Sequence, residues 1–262
     1  MDVTINGPKI YFTIPIFGGI NITQTTVSLL AVTILLIVTA YFLTRHLTKR
    51  PGRMQVITEK GVSMIYDLVD STMGTHNRKF APYIGTLFLS SVCGSLIGMT
   101  QIFRSTTADL SVTAAWALVT TGIVWYEKIK NNGFLGFLKG FTEPIVVMTP
   151  MNIVSEIASP ISLAFRHFGN VAGGSVITAL VYSALAALSS FVFSWLPAAV
   201  SAALPPVFQV GVPAFLSIYF DLFSGFVQAL VFSLLTMVYI GEANPPKVTA
   251  PADSENADKQ SP

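Results

Sequence analysis

The chain has 262 residues, of which 52% are hydrophobic and only 11% are charged, and its mean hydropathy is +0.64. Soluble domains carry roughly 25% charged residues. The composition therefore excludes an ordinary soluble protein and indicates a helical protein that crosses the membrane several times. The net charge of +2 is too small to suggest a nucleic-acid partner. The single cysteine, Cys93, excludes an intrachain disulfide.

The first membrane span is predicted over residues 27–44, an uncharged run long enough to cross a bilayer. Residues 1–26 are polar and rich in turn residues, and we predict that they form an external segment without a cleavable signal peptide. Four basic residues follow the span: Arg45, Lys49, Arg50 and Arg53. Because positive charge collects on the cytoplasmic side, we expect the N-terminus outside the cell.

The next stretch, residues 54–73, has apolar positions at helical spacing and acidic residues on another face. It is too charged to span the membrane. We predict an amphipathic helix that lies along the cytoplasmic surface or against a partner, the alternative being a solvated linker helix. Two further spans, over 82–102 and 110–126, are joined by a short polar turn and predict a transmembrane hairpin. Residues 134–141 alternate glycine with aromatic residues and are predicted to form an interfacial loop.

Two long apolar stretches complete the membrane part, over residues 152–194 and 207–240. The first has more than the roughly 20 residues that an upright span needs, so it is either strongly tilted or broken. Pro160 is expected to bend it or to open it locally near Arg166. The two stretches together predict a helical hairpin of unusual length.

The predicted fold class is therefore all-α, a polytopic membrane protein with five crossings and a membrane domain over residues 27–241. Its parts are an interfacial amphipathic helix, a transmembrane helix hairpin and a long tilted two-helix hairpin. Residues 242–262 are polar and proline-containing, and predict a disordered cytoplasmic tail.

Charged residues are almost absent from the long hairpin: between residues 157 and 241 only Arg166 and Asp221 are charged. A guanidinium stays protonated at physiological pH, and insertion scales put roughly 2.5–3.5 kcal/mol on an arginine at the membrane centre. Arg166 is therefore expected either to have a partner or to act on something. An arginine that reaches a lipid headgroup or closes a structural ion pair is the alternative.

Small and polar residues surround Arg166 on one helix face. Ser162, Arg166 and Asn170 recur every fourth residue, and Gly169 and Gly173 form a small-xxx-small pair beside them. Because glycine has no side chain, these two residues predict that another structural element approaches this surface closely. A tight helix crossing within the chain is the alternative.

A second polar stripe follows the last apolar stretch, where Ser217, Asp221, Ser224 and Gln228 fall at positions i, i+4, i+7 and i+11. An ionisable residue inside a membrane is by default a candidate for ion relay. An inert ion pair between Asp221 and Arg166 is the alternative.

Two other ionisable residues lie near Arg166. Glu156 is expected on the cytoplasmic side, where it either lines a second aqueous entrance or faces the headgroups. His167 lies off the arginine face and is expected to be packed or interfacial. The sequence has no phosphate loop, zinc-protease motif, C-x-x-C pair or nucleophile elbow. It predicts no catalytic residue, no metal and no cofactor.

Residues 160–170 read Pro-Ile-Ser-Leu-Ala-Phe-Arg-His-Phe-Gly-Asn, and Gln228 lies in Gly-Phe-Val-Gln-Ala-Leu over 225–230. With these motifs the chain resembles the a subunit of F-type ATP synthases over essentially its whole length. The resemblance implies a non-catalytic stator subunit in the inner (plasma) membrane of the cell. Its implied partners are a rotating ring of c subunits, the b subunits of the peripheral stalk and membrane lipid.

The resemblance also implies roles for individual residues. Arg166 would be the stator arginine, Asn170 its neighbour, Gln228 its partner on the last helix and Asp221 part of the outer half-channel. Two offset half-channels would carry protons or sodium ions to and from the ring carboxylates. The further candidates for their lining are Glu156, Ser162, Ser175, Ser217 and Ser224.

Two positions depart from the family pattern. Ser175 stands where many members carry a carboxylate or histidine, and His167 stands where an aliphatic residue is usual. The alternative function is a secondary transporter in which Arg166 binds an anionic substrate. That function predicts an internal repeat, and none is visible.

Overall fold

A computed structural model describes residues 10–15, 20–45, 47–100, 103–143, 145–192 and 218–246. Helices account for almost all of this part, which confirms the all-α class. The helices are α1 (Gln24–Thr44), α2 (Arg53–Met73), α3 (Ala81–Met99), α4 (Leu110–Gly140), α5 (Thr149–Val192) and α6 (Gly225–Ala243). Short 3-10 turns cover Thr75–Phe80, Thr106–Ala108 and Val146–Met148, and a π-helical segment, Ile218–Ser224, leads into α6.

The N-terminal segment contains an antiparallel hairpin that the sequence did not predict, formed by β1 (Ile10–Ile14) and β2 (Ile20–Thr23). Thr23 ends the second strand and caps α1, because its side chain accepts a hydrogen bond from the backbone N–H of Thr26. In the first turn of α1, Thr25 Oγ1 donates to Asp109 Oδ2 at 2.6 Å. This bond attaches the first helix to the turn between α3 and α4.

Helix α2 confirms the predicted amphipathic helix. Most of its length is exposed, and its two buried residues, Val69 and Met73, lie near its C-terminal end. They belong to a core cluster with Ile84 of α3 and with Met237 and Ile240 of α6. The helix is therefore attached to the bundle by its last turns only.

Helices α3 and α4 form the predicted hairpin. The turn that joins them lies directly against α3, where a Cβ at Gly94 would overlap Thr106 Oγ1 and one at Gly98 would lie 2.9 Å from Ser105 Cβ. The expectation of an interfacial loop over residues 134–141 is wrong, because the chain is helical again up to Gly140. The helix is only kinked at Gly133, whose φ of 72° is favourable for glycine alone.

Within the described residues, four helical stretches are long and apolar enough to cross a membrane: Gln24–Thr44, Thr75–Met99, Val146–Val192 and Leu222–Ala243. These confirm a multi-pass membrane protein. Helix α4 is not one of the four, so the crossing predicted at 110–126 stays a prediction. Residues 193–194, 207–217 and 247–262 of the predicted long hairpin and tail lie outside the described residues.

Helix α5 has 44 residues and runs without interruption through Pro160. Neither the predicted break nor a local opening at Pro160 is found, whereas a bend stays a prediction. At 1.5 Å per residue the helix is roughly 66 Å long, about twice the thickness of a bilayer core. An upright helix of this length would extend well beyond the bilayer core, and the strong tilt expected from the sequence stays a prediction.

The bundle core lies between α3, α4, α5 and α6, where Leu87, Ala117, Leu163, Ala164 and Phe232 form one buried cluster. At the end of α6 an amide network fastens the helix to its neighbours. Asn244 Nδ2 donates to Asn77 Oδ1 at 2.6 Å, and Asn131 Nδ2 donates to the Ala243 carbonyl at 3.0 Å. These contacts fix the position of the last helix, which carries Gln228.

Candidate functional site

Helix α5 has a buried face and an exposed face in the region of Arg166. Leu163, Ala164 and His167 are buried against α3, α4 and α6, whereas Phe165 and Arg166 are exposed. Successive residues of an α-helix are about 100° apart, so a buried His167 directs its neighbour away from the bundle. Arg166 therefore projects from the outer surface of an apolar helix.

Arg166 takes no part in the ion pairs of the described chain, which use Arg78, Lys79 and Lys128 as cations. The two glycines next to it are open as well: a Cβ added at Gly169 or Gly173 would meet nothing within 4 Å. The described chain therefore makes no tight helix crossing at these glycines. An arginine beside two uncovered glycines, on a helix that spans a membrane, fits the close approach of another polypeptide.

Asn170 connects α5 to the entrance of α6. Its Nδ2 donates to Ser224 Oγ at 2.7 Å, and Ser224 Oγ in turn donates to Asn170 Oδ1 at 2.9 Å. The sequence placed both residues on polar stripes of two different helices, and the structure brings these stripes together at this pair. Ser162, two turns before Asn170, is exposed on the outer face.

Gln228, one turn beyond Ser224 on α6, is only 9% exposed, and its Nε2 has no hydrogen-bond partner in the described structure. A buried amide nitrogen without a partner is unfavourable in a low-dielectric interior. A donor left free in this way is available to an acceptor that is supplied by water, an ion or another subunit.

The remaining residues of the predicted outer pathway are only partly described. Ser175 is exposed, and its hydroxyl donates to the Ala172 carbonyl of its own helix at 2.7 Å. Asp221 lies in the π-helical segment Ile218–Ser224, which ends at Ser224. The side chain of Asp221 and the whole of Ser217 lie outside the described residues.

Glu156 lies near the start of α5, 14 residues before Asn170 at the middle of the helix, and accepts three hydrogen bonds. Lys128 Nζ lies 2.8 Å from both carboxylate oxygens, and Trp125 Nε1 donates to Oε1 at 2.8 Å. The ion pair lines a cavity of about 120 Å³ together with polar groups that include Tyr239 and Glu242. This pair was not predictable from the sequence, because nothing in it connects residues 28 positions apart.

His167 confirms the expected packed histidine. It is fully buried, its Nε2 lies 2.9 Å from Ser91 Oγ, and its ring is in edge contact with Trp116 and Phe232. Nothing in the sequence distinguishes Ser91 from the other serines on α3. No group of His, Cys, Asp or Glu within the described residues has the arrangement of a metal site.

The family model described as ATP synthase A chain matches residues 25–241 of this sequence. The chain belongs to the ATP synthase A chain family. The match covers every described helix up to Gly241, and with them Arg166, Asn170 and Gln228. Family membership confirms the prediction that the chain is a stator subunit of an F-type ATP synthase and associates with that complex. No match favours a secondary transporter.

Individual members of the family cover most of the chain. The sodium-ion-specific ATP synthase subunit a of Propionigenium modestum is 32% identical over 267 aligned residues, which cover 90% of this chain and 84% of the relative. ATP synthase subunit a 1 of Crocosphaera subtropica is 33% identical over 223 residues, with coverage of 84% and 86%. ATP synthase subunit a of Albidiferax ferrireducens is 30% identical over 240 residues, with coverage of 91% and 94%.

Proposed function

We propose that Arg166 is the fixed cation that a ring of c subunits passes as it rotates, and that α5 and α6 form the surface against which the ring turns. The observation that carries the proposal is the position of Arg166. It is an exposed guanidinium without an ion pair in the described chain, next to two glycines that the described chain leaves uncovered. A small-residue surface of this kind accommodates a neighbouring helix at short distance.

Arg166 acts through its permanent charge. An opposite charge close by stabilises the ionised form of a carboxyl group, so Arg166 promotes release of the ion that a ring carboxylate carries. The same cation repels a proton or sodium ion that would otherwise pass straight along the helix surface. The ion must therefore travel around on the ring between two separate half-channels.

The outer half-channel is proposed to run along the polar stripes that meet at Asn170 and Ser224 and to include Gln228 and Asp221. Its further candidates are Ser162, Ser175 and Ser217. The hydrogen bonds between Asn170 and Ser224 support the shared position of these stripes. The unpartnered amide of Gln228 supplies a free donor on the same side of α6.

The inner half-channel is proposed to begin at Glu156, which lines the polar cavity beside Lys128. By the positive-inside rule this end of the bundle faces the cytoplasm, because Lys128, Lys130 and Lys139 follow on α4. The N-terminus is then outside the cell and the chain lies in the plasma membrane. The subunit itself is non-catalytic, its other partners are the b subunits, and the transported ion is a proton or sodium.

The proposal is tested with Arg166→Lys in the complete ATP synthase in membrane vesicles. Lysine keeps the charge and loses the planar, two-pronged guanidinium. We expect an assembled complex that makes no ATP from an ion gradient. Arg166→Ala should in addition raise passive ion leakage through the membrane sector, since the repelling cation is gone. Arg53→Lys, an exposed arginine at the start of α2, is the matched control. Normal synthesis by Arg166→Lys would overturn the proposal.

A further inference from the structure

Four helices of the bundle meet at the ring of His167. The ring belongs to α5, its Nε2 lies 2.9 Å from Ser91 Oγ of α3, and its centroid lies 6.0 Å from that of Trp116 of α4 and 5.1 Å from that of Phe232 of α6. The side chain is fully buried. His167 therefore contacts every other helix of the bundle core from a position directly next to Arg166.

We propose that His167 is a positioning residue that sets the rotation of α5 about its axis and with it the direction of the Arg166 side chain. The inference rests on the proposed role of Arg166. Adjacent residues are separated by about 100° around a helix, so a ring fixed inward holds the next side chain on the outer surface. The same ring packs on Phe232, one turn beyond Gln228, and so aligns the two proposed ring-facing helices with each other.

Two polar contacts flank Arg166 on α5, the bond of His167 to Ser91 and the bonds of Asn170 to Ser224, whereas the other buried residues of this part of the helix, Leu163 and Ala164, are apolar. Apolar contacts are not directional, and lipid on the outer side is as apolar as the core, so such contacts alone permit several rotations of α5. A hydrogen bond in a low-dielectric interior has a defined geometry and selects one of them.

A single hydrogen bond holds the imidazole in the described structure, because Nδ1 has no partner there. The bond to Ser91 should therefore be removable from either side. Glutamine at position 167 reaches about as far as Nε2 and keeps the bond. Asparagine ends at about the depth of Nδ1 and loses it. Three variants thus distinguish the effect of the hydrogen bond from the effect of having any polar side chain at position 167. They are His167→Gln, His167→Asn and Ser91→Ala.

The rotation of α5 is measured directly in the assembled ATP synthase, in a Cys93→Ser background that has no other cysteine in this chain. One spin label is placed at Ile157→Cys, nine residues before Arg166 and on the opposite side of α5. The other is placed at Ile34→Cys, on the exposed side of α1. Pulsed electron resonance then gives the distribution of distances between them. We expect a narrow distribution in the parent and in His167→Gln, and a broadened or shifted one in His167→Asn and Ser91→Ala.

The functional readout is the number of ions pumped per ATP hydrolysed, normalised to assembled complex. It should fall severalfold in His167→Asn and Ser91→Ala and stay near the parental value in His167→Gln. Ser183→Ala is the control, because among the described residues that hydroxyl bonds only to the Leu180 carbonyl of its own helix, at 2.8 Å.

Each remaining outcome overturns a defined part of the inference. Unchanged distances in both His167→Asn and Ser91→Ala would show that His167 does not set the rotation of α5. Changed distances with an unchanged pumping ratio would show that rotation does not matter for coupling. If Arg166→Lys still makes ATP while His167→Asn broadens the distances, the proposed function fails and the positioning role stands.

Discussion

Asn170 and Ser224, 54 positions apart, donate hydrogen bonds to each other at 2.7 Å and 2.9 Å. Asn170 lies one turn after Arg166 on α5, and Ser224 immediately precedes α6. The pair therefore holds the two proposed ring-facing helices at a fixed offset close to the fixed charge. Because the Ser224 hydroxyl both accepts from and donates to the same amide, the geometry of the pair is more specific than that of a single bond.

Removing either member of this pair should weaken the attachment of α5 to α6. For Ser224→Ala and for Asn170→Leu we expect a loss of about 1 kcal/mol each, the usual net contribution of a hydrogen bond. The double variant should cost little more than either single one, because both remove the same contact. The measurement is the rate at which ATP synthesis is lost at a fixed elevated temperature. Additive losses would show that the two side chains act independently.

The polar stripes of α5 and α6 were predictable from sequence, because polar residues inside a long apolar run stand out at helical spacing. The residues that these stripes contact on the neighbouring helix were not predictable. Which residues meet depends on the rotation and offset of two helices, and neither is encoded locally. Ser162, Arg166 and Asn170 share a face by periodicity, yet Asn170 contacts Ser224 while Arg166 stays exposed.

Local sequence patterns also failed to predict features that depend on tertiary packing or on the conformation of a single residue. Residues 134–141, with their alternating glycine and aromatic residues, resembled a loop, but the chain has one residue of positive φ just before them, at Gly133, and then continues as helix. The pairing of Glu156 with Lys128 requires the α4–α5 crossing to be known. The length of α5 was correctly predicted over its described residues, and no opening is found at Pro160, since one missing N–H is tolerated in a membrane helix.

The sign of the charge at the Glu156 cavity should determine how fast cations enter it. Glu156→Gln removes one of the two carboxylates that line the cavity beside Lys128, so we expect slower cation conduction by the membrane sector. Lys128→Gln leaves both carboxylates without the cation, and conduction should be equal to the parental value or higher. A cleft lined by one sign of charge changes the local concentration of a small ion roughly tenfold or more. The measurement is ion flux into vesicles at low ionic strength.

Two controls separate this electrostatic effect from damage to the fold. The double variant Lys128→Gln with Glu156→Gln restores the parental net charge of the cavity lining, which also contains Glu242, and should recover most of the flux. Raising the salt concentration should reduce the differences among the variants, since screening shortens the reach of an exposed charge. If all three variants lose flux equally, and independently of salt, the pair is only a structural contact between α4 and α5.

Removing Lys79 from its ion pair with Glu127 should cost more stability than removing the charge of Glu127. Lys79 Nζ lies 2.8 Å from Glu127 Oε1, and the Glu127 side chain is 5% exposed against 46% for Lys79. Lys79→Met leaves a buried carboxylate unpaired, which costs about 3 kcal/mol or more. Glu127→Gln keeps an acceptor for Lys79 and should cost less. Pulse-chase and immunoblot amounts of the subunit in the membrane report the difference, and equal amounts for both variants would contradict it.

Gly94 should tolerate no side chain while Thr106 keeps its hydroxyl. A Cβ at Gly94 would overlap Thr106 Oγ1, so Gly94→Ala must displace the α3–α4 turn, at about 1–3 kcal/mol for an overpacked contact. That hydroxyl is buried without a partner in the described structure, so Thr106→Ala removes the obstacle at little cost and should rescue Gly94→Ala. Gly122→Ala on α4, with open space around it, is the matched control. We expect reduced thermal stability of the assembled complex for Gly94→Ala alone, and a failure of Thr106→Ala to restore it would place the overlap elsewhere.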